Sequence, residues 1–122
     1  MLIEGLYTVT DFQRKEQEVK AIVQLNKDHE IFKGHFPENP VMPGVCMLQI
    51  IKELTEQAMG KSLLLTVASN IKFMAIINPN LNPTLSLLIS ITEDEDMVKI
   101  KNTSLFDETV ALKLSATFKK VD

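Results

Sequence analysis

The chain has 122 residues and a net charge of −3, from 13 basic and 16 acidic side chains, and 45% of it is hydrophobic. This composition predicts one globular domain over residues 1–122 and excludes a disordered chain. An acidic chain lacks the basic face that nucleic acids require, one cysteine cannot form an internal disulfide, and no apolar run approaches the ~20 residues that span a bilayer.

The first predicted elements are two strands separated by a polar turn. Apolar and polar residues alternate over residues 6–12 and again over residues 19–26. Residues 14–17 between them are all polar or charged. This pattern predicts an antiparallel hairpin in which the second strand has one wetter face.

Residues 26–43 form a loop of unusual composition. The segment holds three prolines and one glycine, yet it also carries large apolar side chains such as Phe32 and Phe36. A loop with that many apolar residues is expected to pack against the domain. His29 lies at its start, where we expect a turn or capping role.

A single helix is predicted after this loop. Residues 45–59 contain neither glycine nor proline, and their apolar residues recur at the spacing of one buried stripe: Met47, Ile50, Ile51, Leu54 and Ala58. Pro43 suits a helix start, and Gly60 suits a left-handed C-cap.

The remainder of the chain predicts strands. Candidate strands cover residues 63–69, 71–77, 85–92, 98–101 and 109–119, with a turn at residues 78–80 and a charged hairpin tip at residues 93–96. One helix with about six antiparallel strands indicates the α+β class.

Residues 34–45 read G-H-F-P-E-N-P-V-M-P-G-V. This segment resembles the G-H-F-P-x-x-P-V-M-P-G-V signature of the 3-hydroxyacyl-[acyl-carrier-protein] dehydratases of fatty acid synthesis, and residues 71–79 are weakly similar to the strand that follows the helix in that family. The resemblance implies a hotdog fold, in which an antiparallel sheet wraps one long helix. It also implies an acyl carrier protein as partner, a homodimer or a trimer of dimers, and a reaction that uses no metal or redox cofactor. The single cysteine favours a location in the reducing cytoplasm.

The resemblance implies a role for particular residues. His35 matches the catalytic histidine, and histidine is a natural base near neutral pH for removing an α-proton. Gly44 and Val45 open the helix, so their N–H groups are expected to polarise a thioester carbonyl. Phe36 and Met42 are expected to bind the substrate beside them.

One helical position departs from the family pattern. The family acid lies fourteen residues after the histidine, which is Gln49 here, and many members have Gln one turn later, where this chain has Glu53. Three hypotheses stay open at this point. Glu53 supplies the acid while Gln49 orients the hydroxyl, or His35 performs both proton transfers, or dehydration is lost and the protein is an acyl-thioesterase or an acyl-thioester binding protein.

Overall fold

The computed structural model describes residues 4–32 and 41–121. His35 and Phe36 therefore lie outside the described residues, and their predicted roles stay predictions. Within the described residues the chain forms one α-helix, one short 3-10 turn at Glu30–Phe32 and six strands. In chain order these are β1 (Tyr7–Lys15), β2 (Glu18–Leu25), α1 (Gly44–Met59), β3 (Ser62–Phe73), β4 (Thr84–Asp94), β5 (Met97–Phe106) and β6 (Thr109–Val121).

The six strands form one antiparallel sheet in the order β1-β2-β4-β5-β6-β3. Strands β1 and β3 lie at the two edges. The inward side chains of β4 and β6 alternate with exposed ones, so the sheet has one apolar face, and α1 packs on that face. This confirms the α+β prediction and the hotdog fold.

The helix is buried along the stripe that its sequence predicts. Met47, Ile50, Ile51 and Leu54 are all buried against the sheet. The helix begins at Gly44, as predicted, and Pro43 is its N-cap. Gly60 ends it in the left-handed conformation (φ 65°) and donates its N–H to the Glu56 carbonyl at 2.8 Å.

Strand β1 contacts the helix near its C-terminal end. The Arg14 Nη1 donates to the carbonyl oxygen of Ala58 in the last turn of α1. A cation at a helix C-terminus is favoured because the last carbonyls carry partial negative charge. This contact ties an edge strand to the helix at a point remote from the helix start.

The prediction of a strand over residues 71–77 is wrong beyond Phe73. β3 ends there, and the N–H groups of Met74 and Ala75 both turn to the Ala111 carbonyl, at 2.8 and 3.3 Å. The chain then leaves the sheet edge, and the Ile77 carbonyl accepts from the N–H of Met42 at 2.9 Å. The apolar residues after Phe73 therefore line the start of the helix. The predicted turn at residues 78–80 is confirmed, since Leu81 and Asn82 both donate to the Asn78 carbonyl.

Among the described residues, no helix is long and apolar enough to cross a membrane.

Candidate active site

At the start of α1, two backbone N–H groups have no hydrogen-bond partner among the described residues. Cys46 and Met47 are the first residues whose N–H groups bond within the helix turn, at 3.1 and 3.2 Å from the Pro43 carbonyl. No hydrogen bond within residues 4–32 and 41–121 uses the N–H of Gly44 or Val45. Both groups add to the partial positive charge of the helix N-terminus, which favours a ligand oxygen that gains negative charge.

Gly44 is required by the approach of an aromatic ring. A Cβ placed on Gly44 would lie 2.7 Å from Cζ of Phe73, closer than side chains tolerate. Phe73 is the last residue of β3, so its ring lies against the first turn of α1 although it is 58% exposed. The glycine of the signature thus lets the edge strand approach the helix start.

Two apolar cavities meet at this contact. The larger, of about 450 Å³, lies between the segment before the helix and residues 73–77. The smaller, of about 240 Å³, lies between the first helical turns and the ends of β3 and β6. Gly44 and Phe73 line both cavities, so the Phe73 ring stands between them.

The predicted substrate-binding residues that the structure describes lie at these cavities. Met42 is buried and lines the larger cavity. Val45 is 76% exposed and lines the smaller one, together with Leu48. An apolar space beside backbone N–H groups at a helix N-terminus can hold an acyl chain with its thioester carbonyl at the helix start.

Further along the helix, a chain of hydrogen bonds joins three side chains. Gln49 Nε2 donates to Glu53 Oε2 at 2.8 Å, and the hydroxyl of Tyr7 donates to Glu53 Oε1 at 2.6 Å. Tyr7 lies at the start of β1, so this second bond crosses from the sheet edge to the helix. Both oxygens of the Glu53 carboxylate therefore accept a hydrogen bond.

Burial raises the pKa of Tyr7 above its ordinary value, and the hydrogen bond to Glu53 and the negative charges of Glu53 and Glu56 raise it further. The phenol therefore keeps its proton at neutral pH and acts as the donor to Glu53. Burial also raises the pKa of the Cys46 thiol. Cys46 accordingly stays neutral and packs as a small buried residue in the first turn of α1.

His29, the other histidine of the chain, has a structural role, as its position at the start of the loop predicts. The Nδ1 of His29 accepts from the N–H of Ile31 at 3.0 Å, which leaves Nε2 as the donor to the carbonyl of Glu4 at 2.9 Å. Both ring nitrogens are thus occupied by backbone groups. His29 holds the turn that begins the loop.

The structure brings together Gln49 and Glu53 as one bonded pair, and Met42, Gly44 and Val45 around the cavities. The sequence alone does not reveal two of the contributors. The apolar pattern places Phe73 within a strand that continues past it, and Tyr7 lies 46 residues from its partner Glu53, so no local pattern connects them. The only signal for Tyr7 was that it is the single tyrosine of the chain.

Comparison with known protein families shows which family the chain belongs to. The family model described as ApeI dehydratase, ApeI-like, matches residues 11–113. The chain belongs to the ApeI-like dehydratase family. The match runs from the middle of β1 to the first residues of β6 and includes the helix start and the Gln49–Glu53 pair.

Members of a related family are also similar in sequence to this ApeI-like chain. The 3-hydroxyacyl-[acyl-carrier-protein] dehydratase FabZ of Lactobacillus helveticus is 31% identical over 99 residues, which is 75% of this chain and 66% of the relative. The FabZ of a Thermoanaerobacter species is 28% identical over 98 residues, 75% of this chain and 68% of the relative. The aligned region thus spans only about two thirds of the length of these relatives.

Solved structures share the fold of the ApeI-like chain. The dehydratase heterocomplex ApeI:P from Xenorhabdus doucetiae superposes with a TM-score of 0.77 at 19% identity, covering 92% of this chain and 96% of the other. A hypothetical thioesterase with coenzyme A from Streptococcus pneumoniae superposes with a TM-score of 0.68 at 11% identity, covering 94% and 85%. At these identities the likeness concerns the hotdog fold alone.

Proposed function

We propose that this ApeI-like protein removes water from 3-hydroxyacyl thioesters carried on acyl carrier protein, giving trans-2-enoyl thioesters in fatty acid or polyene-type synthesis. The observation that carries the proposal is the helix start of a dehydratase-family chain, where Gly44 and Val45, whose N–H groups have no partner among the described residues, line the smaller apolar cavity. The names of the FabZ relatives, which state this substrate class, support it.

The proposed reaction is an elimination. A base takes the proton from C2, the electron pair of that C–H bond forms the C2=C3 double bond, and the C3–O bond breaks as the oxygen receives a proton and leaves as water. Negative charge develops on the thioester oxygen as the C2 proton is removed. The N–H groups of Gly44 and Val45 and the helix dipole would stabilise it.

His35 is the proposed base, and in this proposal it also returns the proton to the leaving hydroxyl. Glu53 is a poor candidate for that acid, since both of its oxygens accept hydrogen bonds from Tyr7 and Gln49. Gln49 has no acidic proton, but its amide can hold the hydroxyl in place. Of the three hypotheses on the helix acid, we therefore propose the one in which a single histidine serves both steps.

A second copy of the chain is the proposed partner at the β3 edge. Among the strands of the described residues none pairs with the outer side of β3, and β3 exposes Leu64, Val67 and Ile71. Unpaired backbone groups beside exposed apolar side chains favour pairing with another strand. A homodimer built here would let the His35 of each copy face the helix of the other. A trimer of dimers remains a prediction, as does the cytoplasmic location.

No metal or redox cofactor is needed in this proposal, because the elimination consists of proton transfers and the cleavage of one C–O bond. The carrier protein delivers the acyl chain on its phosphopantetheine thioester. The alternative functions are thioester hydrolysis and acyl-thioester binding without catalysis. The products that form from a 3-hydroxyacyl thioester distinguish both of them from dehydration.

The test uses 3-hydroxyacyl carrier proteins of several chain lengths with the wild type and the variants His35→Ala, Gln49→Ala and Glu53→Gln. We expect enoyl product from the wild type, at least a ~100-fold loss in His35→Ala, and a smaller loss in the other two. Release of free carrier thiol without enoyl product would show a thioesterase. Binding without either product would show a binding protein.

A further inference from the structure

The Gln49 amide is held in one of its two orientations. A carboxylate oxygen only accepts hydrogen bonds, so the contact of 2.8 Å to Glu53 Oε2 must be made by the amide nitrogen. The carbonyl oxygen Oε1 of Gln49 then points away from Glu53. None of the hydrogen bonds within residues 4–32 and 41–121 uses this Oε1 atom.

The Glu53 carboxylate is itself held from the opposite side. The Tyr7 hydroxyl donates to Oε1 at 2.6 Å, a short charge-assisted bond, while Oε2 serves Gln49. Without the Tyr7 bond, the carboxylate could rotate about its terminal torsion. Its hydrogen bond to the Gln49 amide would then be lost, and the amide could flip.

We propose that Tyr7 is a positioning residue which, through Glu53, keeps the carbonyl oxygen of Gln49 available to accept a hydrogen bond from the 3-hydroxyl of the substrate. The proposal rests on the proposed dehydratase function. A carbonyl that accepts the hydroxyl hydrogen directs the oxygen lone pairs away from Gln49. That orientation leaves them free to receive the proton returned by His35.

The chain offers a matched control for the loss of a β1–helix hydrogen bond. Arg14 also lies on β1 and also donates to α1, at the Ala58 carbonyl, but it does not contact Gln49 or Glu53. Arg14→Gln removes the guanidinium contact with the last turn of α1, whereas Tyr7→Phe removes one hydroxyl and keeps the ring. A role of Tyr7 in stability alone would make the two variants alike in catalysis.

The kinetic test compares kcat and KM. We expect Tyr7→Phe to lower kcat about tenfold with KM within about twofold, whereas Arg14→Gln keeps the kcat of the wild type. In a Glu53→Gln background, Tyr7→Phe should add little further loss, because the two residues act through one network. Equal kcat in Tyr7→Phe and wild type, or fully additive losses, would overturn the proposal.

A second test does not depend on activity. The side-chain NH₂ resonances of Gln49, identified by their loss in Gln49→Ala, are followed by NMR. We expect Tyr7→Phe to shift or broaden them and Arg14→Gln to leave them unchanged. Unchanged resonances in Tyr7→Phe would contradict the positioning role. If they shift while the wild type forms no enoyl product, the amide is held as inferred, but the proposed function and the catalytic part of the inference both fail.

Discussion

Gln49 and Glu53 are bonded through Nε2 and Oε2 at 2.8 Å, so they form a single unit on one face of α1. The sequence signature leads us to expect an acid at the position of Gln49 and an amide at the position of Glu53. The pair therefore holds one amide and one carboxyl at successive turns, in the reverse of the expected order.

Exchanging the residue types of Gln49 and Glu53 should show whether the two positions are coupled. Gln49→Glu alone places two carboxylates one turn apart, which replaces a hydrogen bond by repulsion and costs about 1 kcal/mol of unfolding free energy near neutral pH. The double variant Gln49→Glu with Glu53→Gln restores an amide–carboxyl bond and supplies an acid at the family position. Thermal denaturation should show recovered stability in the double variant, and its dehydratase kcat should equal or exceed that of the wild type. A double variant no more stable than Gln49→Glu would show that the pair is not coupled.

Phe73 should influence which acyl chains are accepted. Because its ring stands between cavities of about 450 and 240 Å³, Phe73→Ala would join them. We expect kcat/KM to shift about tenfold in favour of longer chains, an effect of the size that apolar pockets give. Met74→Ala is the control, since Met74 lines only the larger cavity. An equal shift in both variants would show that Phe73 does not separate the two spaces.

The β3 edge should control assembly. Val67 and Leu88 are both exposed apolar strand residues, at 53% and 42%, but Val67 lies on the edge strand β3 and Leu88 on the interior strand β4. We expect Val67→Lys to shift the protein toward monomer in sedimentation and to lower dehydratase activity in parallel. Leu88→Lys should leave both unchanged. A wild-type monomer with full activity would contradict a site shared between two copies.

Stability at high pH should depend on Tyr7. Its pKa is raised in the folded protein, chiefly by burial, so folding favours the neutral phenol. Below pH about 10 the phenol is neutral in both states and its contribution to stability is complete. As the pH rises further, the phenol ionises first in the unfolded chain. Its contribution to stability therefore declines with pH, and the decline ends once the folded phenol also ionises.

The measurement is the free energy of unfolding from denaturant curves on both sides of pH 10. Wild type should lose stability more steeply with pH than Tyr7→Phe. Because the chain has one tyrosine and no tryptophan, the phenolate absorbance reports Tyr7 alone. Glu53→Gln should lower the pH at which that absorbance rises. Identical pH slopes for wild type and Tyr7→Phe would show that the phenol is not held neutral by the fold.

Local patterns in the sequence were sufficient for the helix and most strands. The stripe through Met47, Ile50 and Leu54 and the caps Pro43 and Gly60 each agree with the structure, because burial and backbone geometry there are local properties. Met42, Gly44 and Val45 of the signature line the two cavities.

The full length of β5 does not follow from the sequence pattern, because some of its buried residues are polar. Asn102 and Ser104 are buried, which interrupts the alternation that reveals a strand. Their polar groups are satisfied within the sheet, since Asn102 donates to the Leu88 carbonyl and Ser104 donates to Asn102 Oδ1. Such partners depend on strand register, which the sequence pattern alone does not specify.

The site residues that escaped prediction make tertiary contacts. Tyr7 meets Glu53 only because β1 lies alongside the helix, and Phe73 meets Gly44 only because β3 ends at the helix start. Nothing near either residue in the chain indicates the contact. Topology, rather than propensity, therefore completes the site.

The most direct test of the central claim is mass spectrometry of a 3-hydroxyacyl carrier protein incubated with the purified protein. We predict loss of one water from the acyl chain with the wild type, with the thioester intact, and at least a ~100-fold slower loss with His35→Ala. An acyl chain that keeps its hydroxyl group at every length tested, or a His35→Ala variant as active as the wild type, would contradict the account.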